Sequence, residues 1–108
     1  MGTTTTRSAS ADAKIQLRHP AGKKAVRISR DKYDLLKASL RTVLKKRGTG
    51  SHTELLQAVT ADLKARGTAF SGSIEWYLEW VKLDLEARGT LQRVAGSTPQ
   101  QFRLRASR

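Results

Sequence analysis

The residues of this 108-residue chain with a chemistry to offer are mostly cations. Lys23, Lys24, Arg27 and Arg30 crowd one stretch near the N-terminus. Arg93, Arg103 and Arg105 sit in another near the C-terminus, with Arg108 beyond them. Fixed positive charges of this kind hold phosphates, each contact releasing a condensed counterion without reading a base. The formal charge is +12 and the pI is near 11. That balance puts nucleic acid first among partners, DNA ahead of RNA, with an anionic membrane surface or an acidic protein behind it.

Other chemistry finds less support. With no cysteine there is no disulfide, thiolate nucleophile or Cys-based zinc site. His19 and His52 each lack a partner at metal-ligand spacing. Glu75 and Glu79 stand at i, i+4 and offer half of a carboxylate metal site, but no Glu-x-x-His accompanies them, and a solvated helix face is the expected role. Gly22-Lys23-Lys24 matches the end of a phosphate loop, yet G-x-x-x-x-G-K-[ST] fails at Leu17 and Lys24. The serines have no readable base beside them. The expectation is a protein that is not an enzyme, with no cofactor, metal or small-molecule substrate. No apolar run approaches a membrane span, and MGTTTTRSASADAK has no apolar h-region. A cytoplasmic protein without membrane insertion is expected.

The elements that must position the cations can be read in order. Residues 1–13 are mostly Thr, Ser, Ala and Gly without periodicity, which predicts a disordered tail. Residues 14–29 predict a basic arm or short hairpin. KIQLR and AVRIS alternate on either side of the His19-Pro20-Ala21-Gly22 turn, with Ile15, Leu17, Val26 and Ile28 as the apolar side. A first helix is expected over 30–47, capped by Ser29, with Tyr33, Leu36, Leu40, Val43 and Leu44 inward. A second is expected over 52–66, opened by a Ser51/Glu54 capping box, with Leu55, Leu56, Val59 and Leu63 inward. A third begins at Gly72 or Ser73 and runs to Arg88. Each helix closes on Arg-Gly-Thr, at 47–49, 66–68 and 88–90, which is a recurring stop and not a repeat unit. Last comes a hairpin: 91–94, a turn at 96–99, and 102–105. Phe102 and Leu104 share one side of its second strand, Arg103 and Arg105 the other. Residues 106–108 form a C-terminal tail. The fold class is mainly α with a small β-hairpin (α+β), with one domain over 30–105.

From SHTELLQAV through SIEWYLEWVKLDLEARGTLQRV and the hairpin after it, the chain resembles the winged helix-turn-helix superfamily. From HPAGKKAVRI onward it also resembles a family of small uncharacterised bacterial proteins, a domain of unknown function. The first resemblance implies three helices followed by a two-stranded wing. It also implies a third helix that enters the major groove while the wing meets phosphates. Carried onto this sequence, the readers would be Ser71, Ser73, Glu75, Glu79 and Lys82.

The third helix resists that role. On a helical wheel Ile74, Tyr77, Leu78, Val81 and Leu85 form one apolar stripe, and Trp76, Trp80, Leu83 and Ala87 a second. Its polar face is Glu75, Glu79, Lys82 and Glu86, which repels phosphate. The expected contacts are therefore Lys23, Lys24 and Arg27 in the arm and Arg93, Arg103 and Arg105 in the wing. The second apolar stripe has two readings. Either the arm covers Trp76 and Trp80, or they form a homodimer interface or partner groove. The alternative function is accordingly a protein-interaction module using Trp76 and Trp80 or the acidic Glu75 and Glu79.

Overall fold

The structure, a computed structural model, describes residues 13–105. Of the tail expected at 1–13, only Ala13 lies within the described residues, and its carbonyl accepts the Arg30 amide at 3.1 Å; the tail expected at 106–108 lies outside them. The arm is an antiparallel pair, β1 (Lys14–Gln16) against β2 (Arg27–Ser29), with Ile15 opposite Ile28. The alternation read from sequence holds here: Leu17 and Ile28 are buried, while Lys14, Gln16 and Arg27 face water.

Helix α1 (Arg30–Arg47) begins where Ser29 accepts the Lys32 amide at 3.4 Å. Its Tyr33, Leu36, Leu40, Val43 and Leu44 form the centre of the core, and each fully buried leucine contributes about 1.5–3 kcal/mol. Gly48, at φ +85°, ends the helix in a conformation that glycine adopts without strain. The chain then makes a two-residue strand, β3 (Gly50–Ser51). Gly50 is forced by close approach, because a Cβ there would lie 2.7 Å from the Leu55 side chain.

Helix α2 (His52–Ala65) opens with the expected capping box. Ser51 accepts the Glu54 amide at 3.3 Å, and the Glu54 carboxylate accepts the Ser51 amide at 3.0 Å. Helix α3 (Ile74–Ala87) is capped by Ser73. The ends of α2 and α3 carry nearly the same sequence, Asp62-Leu63-Lys64-Ala65-Arg66-Gly67-Thr68 and Asp84-Leu85-Glu86-Ala87-Arg88-Gly89-Thr90. Both close through the same three backbone bonds. In both, the aspartate pairs with the arginine one turn on and accepts a hydroxyl from α1, Ser39 for Asp62 and Tyr33 for Asp84.

The hairpin is β4 (Leu91–Val94) and β5 (Gln101–Leu104). The second strand thus begins one residue earlier than expected and ends at Leu104, where the Arg105 amide turns to the Thr90 carbonyl at 2.8 Å. Strand β3 pairs with β5, Gly50 opposite Phe102, so the sheet has three strands in the order β3-β5-β4, all antiparallel. The result is a compact α+β fold in which the sheet closes one side of a three-helix core. Among the described residues no helix is long and apolar enough to cross a membrane.

Of the two readings of the second apolar stripe, coverage by the arm does not fit Trp76. Trp76 is 46% exposed, and Trp80 is only partly buried against the core. The arm docks instead at the other end of α3. There the Asp84 carboxylate accepts the Arg18 amide at 2.8 Å, and Arg88 reaches the Gln16 carbonyl at 3.5 Å.

Candidate nucleic-acid interface

The carboxylates of α3 lie close to basic side chains of the same chain. His52, in the first turn of α2, stands between Glu75 and Glu79, with Nε2 3.2 Å from the first and Nδ1 3.4 Å from the second. Lys82 Nζ lies 3.5 Å from Glu79 Oε1 and 4.3 Å from the Phe102 ring centroid. Glu86 accepts both arms of the Arg93 guanidinium, at 2.7 and 3.3 Å. On the acidic face read from sequence, Glu79 and Glu86 thus stand beside fixed cations, while Glu75 meets the His52 ring.

Lys82 is also not a groove-reading side chain, because it is 4% exposed. The wing folds back over α3 and sets Phe102 against the lysine, a cation–π contact in a dry place. Burial pushes the Lys82 pKa below the ordinary lysine value, and Glu79 pulls part of the way back. A hollow of about 480 Å³ opens between the start of α2, α3 and the wing, lined among others by His52, Glu79, Lys82 and Arg93. With both signs of charge on its walls, it selects for neither cation nor anion.

Asp84 is the buried group that sequence reading missed. Its carboxylate accepts Tyr33 Oη at 2.6 Å, Arg88 Nε at 2.7 Å and the Arg18 amide at 2.8 Å. Tyr33 is pushed far above the ordinary phenol range, first by burial and then by that hydrogen bond. Arg88 is raised by its bond to Asp84. The i, i+4 spacing of Asp84 and Arg88 was a legible signal; the hydroxyl and amide partners were not.

The candidate phosphate contacts sort into two groups. Lys23, Lys24, Arg27, Arg103 and Arg105 are exposed, and none pairs with a carboxylate among the described residues. Lys23 and Lys24 border a hollow of about 480 Å³ in the turn of the arm, together with Arg18 and His19. Arg93 is exposed but held by Glu86, so the wing offers two free arginines where sequence reading expected three. The register explains the difference. Arg93 stands opposite Phe102 and shares its face of the hairpin, 5.7 Å from that ring, whereas Arg103 stands opposite Gln92 on the other face. A further basic strip lies on the outside of α1, where Lys37, Arg41 and Lys45 follow at i, i+4 spacing around a shallow hollow that also includes Asp34.

Among the described residues no group of His, Cys, Asp or Glu is placed to hold a metal ion. A family model described as a family of unknown function (DUF6958) matches residues 14–102. No curated protein and no solved structure matches the chain.

Proposed function

We propose that this chain, which belongs to the family of unknown function DUF6958, is a non-enzymatic nucleic-acid-binding protein of the winged-helix kind. Its target in this reading is DNA ahead of RNA. The element order supports the fold part: helix, short strand, two helices, hairpin, with the short strand paired to the second strand of the hairpin. Three helices followed by a two-stranded wing are what the resemblance to the winged helix-turn-helix superfamily implies; the short strand is an addition to it.

The observation that carries the binding part is the sorting of charge. The carboxylates of α3 that would repel a phosphate chain lie beside His52, Lys82 and Arg93, while the cations of the arm and of the wing face turned away from Phe102 are left unpaired among the described residues. Lys23, Lys24 and Arg27 on one side and Arg103 and Arg105 on the other are the phosphate contacts in this reading, and backbone contacts of this type confer weak sequence preference. Fluorescence anisotropy with a labelled duplex tests it. Micromolar affinity at low salt that falls steeply as salt rises is expected; no binding to micromolar duplex at low salt would refute it.

In the protein-docking alternative the acidic half is Glu75 and Glu79, both exposed and both beside His52. Its aromatic half keeps one observation in its favour, the exposure of Trp76.

A further inference from the structure

At the leading end of α3, aromatic rings gather around a cation. Trp76 meets Tyr77 edge-on, with centroids 5.0 Å apart, and Trp80 lies 6.4 Å away, one turn on. Phe70, in the loop before the helix, meets the other side of Tyr77 at 5.4 Å. Lys32, from the first turn of α1, places Nζ 4.6 Å from the Tyr77 centroid and 5.3 Å from that of Phe70, and donates to Tyr77 Oη at 3.4 Å. Gly72 makes this possible: at φ +96° it has no Cβ, and one built there would lie 3.1 Å from the Tyr77 ring. Among the described residues Lys32 pairs with no carboxylate.

The choice of occupant follows from that pairing of ring and ammonium. An apolar protein surface laid over the cluster would dry Lys32, which stands on the Tyr77 and Phe70 rings, and bring no charge to meet it, which is costly. A nucleotide carries a flat π face and a phosphate in one unit, and so meets both. In a duplex the faces of the bases are already stacked on one another; in a single strand they are free. We infer that the Phe70–Trp76–Tyr77 cluster with Lys32 is a stacking platform for unpaired bases of single-stranded nucleic acid. Trp76 takes the base and Lys32 draws in its phosphate.

This inference rests on the nucleic-acid reading above and adds a substrate class to it, through residues other than the arm and wing cations. The test is a low-salt titration of the full chain with oligo(dT) and with a hairpin duplex of equal length, followed by tryptophan fluorescence. The expected result is quenching by oligo(dT), an affinity for oligo(dT) about tenfold lower in Trp76→Ala, and duplex affinity within twofold of wild type. Trp76→Phe, which keeps a ring, should recover most of the loss and guards against misfolding as its cause. Duplex binding with oligo(dT) affinity indifferent to Trp76→Ala would overturn the inference and leave the nucleic-acid reading standing. Failure of both ligands to bind would overturn both. A dimer in light scattering that Trp76→Ala disperses would assign the face to a second copy and overturn the platform.

Discussion

Asp84 shows how much one side chain can organise. It is fully buried, and three donors from three parts of the chain converge on it: the Tyr33 hydroxyl, the Arg88 guanidinium and the Arg18 amide. Asp84→Ala strands all three and should cost about 3–5 kcal/mol in urea unfolding. Tyr33→Phe removes one donor to a charged acceptor and should cost about 1.5–3 kcal/mol. The same pair sets an alkaline limit. Above about pH 10 a tyrosine in the unfolded chain ionises, while Tyr33 in the fold keeps its proton, so the unfolded state binds fewer protons and stability falls as pH rises. Lys82 acts with the opposite sign. Burial lowers its pKa, so between that value and the ordinary lysine value the unfolded chain holds more protons and stability rises with pH. Tyr33→Phe removes the first effect and keeps the second. From about pH 9 to about pH 11 its urea midpoint should therefore fall less than that of wild type. Apolar residues of the core such as Leu36 and Leu78 were legible from their spacing. The role of Asp84 was not, because on a helical wheel a buried carboxylate looks like one more polar residue.

The helices were legible nearly to the residue because their stops are local chemistry. Ser29, Ser51 with Glu54, Ser73 and the three Arg-Gly-Thr ends each satisfy backbone groups within a turn of themselves. Strand β3 was not legible. Two residues carry no periodicity, and their partners, Gln101 and Phe102, lie at the far end of the chain. Ser51 serves both elements, pairing in the sheet and capping α2. Ser51→Ala should cost about 1 kcal/mol by chemical denaturation, the usual loss of a cap, without altering the far-UV spectrum. The near-identical ends of α2 and α3 explain how two helices of different core sequence dock on α1. Each supplies an aspartate to a hydroxyl of α1 and clamps it with the arginine one turn later. Sequence reading caught the stop in this motif and not the clamp, since Ser39 and Tyr33 belong to another helix.

Across the whole molecule the sign of the charge was plain from composition, while its availability was not. Whether an arginine is free depends on what the fold places beside it: Arg93 meets Glu86 across the junction of helix and wing, and Arg103, on the opposite face, meets no carboxylate among the described residues. The salt dependence of duplex binding distinguishes them. Arg103→Ala and Arg105→Ala should each lower the slope of log affinity against log salt by about one. Arg93→Ala should change it by less, because its charge is already compensated. The aromatic cluster belongs to the same scale, because it joins α1, the loop after α2 and the start of α3 through Lys32, Phe70 and Tyr77.

The bond from the Arg18 amide to Asp84 spans 66 positions of sequence. On a ribosome the arm therefore emerges well before the side chain that fastens it. Its turn can close on itself early, but Asp84 must first be synthesised and its helix formed before the Arg18 amide has a carboxylate to meet. During that interval Lys23, Lys24 and Arg27 leave the exit tunnel ahead of the acidic residues of α3.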